Sequence, residues 1–182
     1  LTVMPRPMTI NGPDIMMAVL DPKGIYACTK KGFHIMTTPL SGGHQLMLDQ
    51  VDGFTRGKAE LGDKGKDLTI SLSRVAYVAK NEADRKEKIE IAHEYFSRFD
   101  NVFTGPGIVN KGMIEILPRK QSIKELEKSL LICSAEEMID KLSPYSEAGV
   151  DRVILNMNFG ASHKDTMSSI QNFAEKVAPH FS

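Results

Sequence analysis

Ile15-Met16-Met17-Ala18-Val19-Leu20 runs six apolar residues without alternation and is closed at once by Pro22 and Gly24. A strand with water on one face alternates, so an unbroken run this short marks a strand buried on both faces, the habit of a parallel sheet. A second such run, Phe33-His34-Ile35-Met36-Thr37, follows a short helical stretch over 23–31 that ends at Gly32, and it stops at Pro39 and Gly42-Gly43. The pair and its linker read as a βαβ unit.

The rest of the chain repeats this grammar. His44 to Leu61 places Leu46, Met47, Val51 and Phe54 at helical spacing, with an interruption or end expected between Gly53 and Gly62. Leu68 to Ala79, rich in β-branched and aromatic residues, reads as a third strand. Asn81 can cap the next helix, whose apolar face is Ile89, Ala92, Phe96 and Phe99 and whose solvated face is Glu82, Asp84, Arg85 and Lys86. Periodicity dissolves from Asn101 to Leu131 apart from a short helix over Ser122 to Lys128, so 101–131 is expected to be a mobile lid or inserted loop. Ser134-Ala135-Glu136-Glu137 has the form of a capping box opening a helix that reaches Ala148-Gly149. Val150 to Met157 is a fourth strand, and Met167, Ile170, Ala174 and Val177 mark the apolar stripe of a last helix. The fold class is therefore α/β with parallel strands and right-handed crossovers, and residues 1–182 form one unit.

Composition narrows the function. Lys plus Arg equals Asp plus Glu at 23 each, and no basic stripe with interleaved aromatics is present, which argues against nucleic acid as a partner. The apolar runs are too short to span a membrane and no export signal opens the chain, so a soluble, cytoplasmic protein is expected. Cys28 and Cys133 stand alone as expected reduced core residues, and no histidine pair has metal-ligand spacing, so no metal is expected. No nucleophile elbow supports hydrolysis.

Met4-Pro5-Arg6-Pro7 with Pro13-Asp14-Ile15-Met16-Met17-Ala18 resembles the proline-rich turn leading into the fifth barrel strand of the bacterial luciferase-like flavin-dependent monooxygenases. Arg74 to Ala79 is similar to the family's seventh strand. The stretches 134–142, 148–155, Asn158-Phe159-Gly160 and 173–181 are similar, in order and spacing, to its closing segment. The resemblance implies a partial (β/α)8 barrel, the C-terminal four βα units carrying strands five to eight, with the N-terminal half missing. It further implies a two-component enzyme in which a separate flavin reductase supplies reduced FMN and molecular oxygen oxidises a small organic substrate. The isolated fragment is expected to be inactive and to associate into a homo-oligomer through its open edges. Two other readings stay open: a deazaflavin-dependent oxidoreductase on the same barrel, and a non-catalytic chain that supports a partner.

Active sites of such barrels lie at the C-terminal ends of the strands. Where some branches of the family have Ser-Pro-x-Gly to hold the flavin phosphate, this chain has Asp21-Pro22-Lys23-Gly24. Asp21, Lys23 and Gly24 are thus the cofactor-binding candidates, but a carboxylate repels phosphate, so either Lys23 supplies the charge or the missing half grips the phosphate. Ser41-Gly42-Gly43-His44 is a glycine-rich turn into a helix, able to meet an anion. His44, Arg119 and Lys120, with Asn158, Phe159 and His163 after the last strand, are the remaining substrate or lid candidates.

Overall fold

A computed structural model describes Met4, Met8 and residues 12–181. The Pro5-Arg6-Pro7 turn lies outside the described residues. The elements alternate as the sequence requires: β1 (Met16–Ala18), α1 (Pro22–Thr29), β2 (His34–Thr37), α2 (His44–Leu61), β3 (Ile70–Val78), α3 (Glu82–Phe103), a hairpin of β4 (Val109–Asn110) and β5 (Met113–Ile114), α4 (Ile123–Ser129), β6 (Leu131–Cys133), α5 (Ala135–Glu147), β7 (Arg152–Asn156) and α6 (His163–Lys176). β1, β2, β3, β6 and β7 form one five-stranded parallel sheet. That is one strand more than the four expected. Leu131-Ile132-Cys133 is wholly buried but only three residues long, too short for a periodic signal.

β3 is the centre of the sheet. Residues 70–72 pair with β2, 71–75 with β7 and 76–78 with β6. Its odd-numbered residues bond toward β2 and β6, as in Ile35 N–H to Thr69 O and Ala79 N–H to Cys133 O; even-numbered Ile70 bonds toward β7. β7 ends at Asn156, opposite Val75, so the Val78 N–H has no strand to meet on that side. The buried Ser169 hydroxyl of α6 accepts it instead, at 2.7 Å.

Side chains alternate across the sheet. One face carries Ile35, Ile70, Leu72, Ala76, Val78 and Leu131 into a core with Met47, Val51 and Phe54 of α2, Met138 and Leu142 of α5, and Val177. On the other face, Val75 and Tyr77 at the C-terminal end of β3 pack under Ile89, Ala92 and Phe96 of α3, with Leu126, Leu130 and Phe159. Further back, that same face carries Met16 and Met36, and Ile154 beside Ser73, and these three apolar side chains are exposed. α6 also differs from expectation. Its stripe residues Met167 and Ile170 are 50% and 40% exposed, and the helix packs through Ser169, Phe173 and Val177.

α2 runs through Gly53 unbroken because the glycine is a contact, not a stop. A Cβ at Gly53 would sit 2.5 Å from the Pro22 carbonyl oxygen, and one at Gly57 would sit 2.7 Å from the Thr29 Cβ. The two glycines, one turn apart, let α1 and α2 close on each other.

Candidate active site

The segment 101–131 is not bare loop: it holds the last turn of α3, the hairpin and α4, capped by a full Ser122/Glu125 box. Residues of α3 and α4 pack on Val75 and Tyr77 at the C-terminal end of β3. The box read at Ser134 is half made. Its hydroxyl accepts the Glu137 N–H at 3.2 Å, but Glu137 itself pairs with Arg85 and Lys141, at 3.1 and 3.0 Å.

The candidates separate sharply by position. Asp21 caps α1, its carboxylate accepting the Gly24 N–H at 2.8 Å, and Lys23 is exposed. The turn therefore does not fit a phosphate: a fixed negative charge occupies the amide that would bind one. Phe159 is a core residue, edge-on to Tyr77 with ring centroids 6.2 Å apart, and is not open to a ligand. Asn158, His44 and His163 are exposed, and the two histidines open α2 and α6. Lys120 is exposed as well.

Arg119 is brought to a second candidate. Its Nη2 donates to Ser41 Oγ at 3.1 Å, and Gln121 Nε2 donates to the Ser41 carbonyl at 2.9 Å. The insertion thus docks on the glycine-rich turn after β2, a contact across some eighty residues. Gln50 of α2, fully buried, ties the neighbouring strand ends together by donating to Leu20 O at 2.8 Å and Thr38 O at 3.1 Å.

A charged cluster at the end of β3 was not read from the sequence. Lys88, its side chain 2% exposed, lies 3.3 Å from Asp84, 3.4 Å from Asp165 and 2.7 Å from Glu87, and 5.7 Å from the Tyr77 ring centroid. Lys80 reaches Asp165 at 3.0 Å. Hydrogen bonds from Lys80 and Ser162 hold Asp165 down to about 2. Burial, with Asp84 adding to it, pushes Tyr77 up to about 12. The cluster clamps α3 and α6 to the strand end with its charges paired, so it is an anchor rather than a set of free acids and bases. A second buried cation, Arg74, fastens the Gly42 carbonyl (3.3 Å) and the Ser129 carbonyl to β3. Burial drives its guanidinium below the ordinary value. Among the described residues no group of three acidic, histidine or cysteine side chains is placed to hold a metal ion. No described helix is long and apolar enough to cross a membrane.

No protein-family model matches the chain. It is 24% identical over 188 residues to the oxygenase component of the flavin-dependent trigonelline monooxygenase of Acinetobacter baylyi, covering all of this chain and 52% of that protein. The chain resembles half of a luciferase-like flavin-dependent monooxygenase. Its fold agrees. The monooxygenase RslO1 of Streptomyces bottropensis superposes with a TM-score of 0.69 at 17% identity over 98% of this chain and 51% of that one. The FMN-bound oxygenating constituent of a Pseudomonas putida type II Baeyer–Villiger monooxygenase gives 0.63 at 13% identity, over 93% and 49%. An F420-dependent secondary alcohol dehydrogenase gives 0.69 at 16% identity, over 93% and 49%. The chain spans about half the length of each of these relatives, consistent with a C-terminal half.

Proposed function

We propose that β1, β2, β3 and β7 are strands five to eight of a (β/α)8 barrel, with β6 an extra strand closing the insertion, and that with an N-terminal half the chain forms the oxygenase of a two-component flavin monooxygenase. The observation that carries this reading is the match of the whole chain to only half of a flavin-dependent oxygenase component. Reduced FMN from a separate reductase supplies the oxygen chemistry, and a small organic substrate receives it. The role of this half is to build one wall of the site. Met16, Met36 and Ile154 offer an apolar surface to the missing barrel interior, and the insertion stands over the strand ends to exclude water. Because the Asp21 turn does not fit a phosphate, the phosphate grip belongs to the absent half, and no step is assigned to Lys23 or Gly24. The segment 101–131 serves as the lid, with Lys120, His44, Asn158 and His163 as exposed groups and Arg119 as the lid's own contact to Ser41. The same exposed apolar face supports self-association of the chain when it stands alone.

The test is to pull the tagged chain from its source cells, identify the polypeptide that comes with it, and follow the aerobic reoxidation of reduced FMN, which free in solution consumes oxygen unaided. A reoxidation course clearly distinct from that of free reduced FMN with both polypeptides, and indistinguishable from it with the chain alone, is expected. FMN bound and turned over by the chain alone overturns the reading. If the pair binds a deazaflavin and transfers hydride without oxygen uptake, the dehydrogenase reading takes its place, a reading supported by likeness to the F420-dependent fold. Full activity of the partner without this chain selects the purely supporting role.

A further inference from the structure

Arg119 has donors that the protein leaves unused. Its side chain is 4% exposed, stacked 5.3 Å over the Phe96 ring centroid, and its Nη2 is occupied by Ser41 Oγ and, at 2.9 Å, Gln121 Oε1. Nε has no hydrogen-bond partner, and Nη1 meets the half-exposed Asp100 carboxylate at 3.2 Å without hydrogen-bond geometry. Leaving buried guanidinium donors unmade is costly, and Nη1, which the half-exposed Asp100 covers, becomes a charge-assisted donor for an oxyanion once that carboxylate moves aside. The group lines an open cavity of about 630 Å³ with Ser41, Gly42, Asp100, Thr104 and Lys120. Two cations therefore face one carboxylate there. The turn at its edge opens the 18-residue helix α2 with Gly43 as a cap that has no side-chain acceptor.

We propose that this cavity, between the glycine-rich turn after β2 and the insertion, is an oxyanion subsite. Arg119 is its binding residue, and Asp100 is an internal stand-in that the ligand displaces. The group it takes is a carboxylate or a phosphate on a small organic molecule, delivered to the strand ends beneath the insertion. The assignment rests on the monooxygenase reading for its place in catalysis, but binding alone tests it, so failed turnover and failed binding are distinguishable.

In the ¹⁵N-labelled chain, the Arg119 Nε–H and Gly42 amide resonances are followed during titration with sodium benzoate, inorganic phosphate and, as neutral control, benzamide, at constant ionic strength. Saturable shifts with benzoate or phosphate and none with benzamide are expected. A stronger response to benzoate identifies a substrate carboxylate, and a stronger response to phosphate identifies a phosphorylated small molecule. Arg119→Gln should abolish the shifts, and Arg119→Lys should weaken binding at least about tenfold, because a single ammonium cannot hold Ser41 and Gln121 and also present a donor to the anion. Asp100→Asn, a surface change that leaves folding intact, should tighten binding about two- to fivefold by removing the competing carboxylate. Shifts no larger than those with benzamide, or affinity unchanged in Asp100→Asn, overturn the proposal.

Discussion

Ser169→Ala isolates one hydrogen bond whose worth can be worked out beforehand. Val78 N–H lies beyond the end of β7, and the Ser169 hydroxyl is the acceptor it has, at 2.7 Å, with Ser169 1% exposed. Removing the acceptor leaves a buried donor unmade, a cost of about 1–3 kcal/mol. Alanine is the better helix former and returns about 0.5 kcal/mol. The net loss is about 0.5–2.5 kcal/mol, which at an m-value of about 2 kcal/mol/M lowers the urea midpoint by about 0.25–1.25 M. Ser168→Ala serves as control, since it makes the same propensity gain without touching Val78. Both proteins are unfolded in urea at one fixed concentration, so that association contributes equally, and amide exchange at Val78 is followed. A midpoint within about 0.1 M of wild type, with Val78 exchange unchanged, would refute the reasoning: the amide would then have another acceptor.

Further outcomes are expected elsewhere. Gly57→Ala should destabilise by about 1–3 kcal/mol in thermal or urea unfolding, although alanine usually strengthens a helix, because its Cβ meets Thr29 at 2.7 Å. Asp165, held by Lys80 and Ser162 near a pKa of about 2, contributes stability that is complete above its ordinary value near 3.8 and is lost as pH falls through about 2. Asp165→Asn should therefore flatten the stability profile below pH 4, and an unchanged profile counts against the cluster as an anchor. Met36→Glu and Met167→Glu should each raise the monomer fraction in sedimentation, since both side chains are exposed apolar surface. Hydrogen exchange should be faster over 104–121 than in β7, with first proteolytic cuts between Gly105 and Lys124; protection equal to that of β7 would end the lid reading.

The parallel sheet was legible because β1, β2 and β7 lie in short, mainly apolar runs and β3 is rich in β-branched and aromatic residues, and helix starts were legible where Asn81, Ser122 and Ser134 accept first-turn amides. What escaped reading shares one physical cause: burial by elements far away in sequence. Arg85 has the look of a solvated helix face and nothing local singles out Lys88, yet Glu127, Glu137 and Asp165, some forty to eighty residues on, pair with them. α6 shows the converse. Met167 and Ile170 have the spacing of a core stripe, but among the described residues no layer covers them. At the site, the Ser41 turn and Arg119 could be named singly. That they touch is tertiary information, carried by the path of the insertion rather than by any local motif.

The three-sided pairing of β3 also separates what must be conserved in length from what need not be. The excursion from Ala79 to Leu130 leaves the end of β3 and returns to that same strand as β6, so both its ends are pinned to one rigid element. Lengthening such a closed excursion costs only about 0.6 kcal/mol per doubling of its length, and nothing in the register of β2 or β7 has to move. A change in the size of this segment is therefore nearly free of the sheet, and insertion or deletion here can reshape what lies over the end of β3 while the remaining strands keep the same partners.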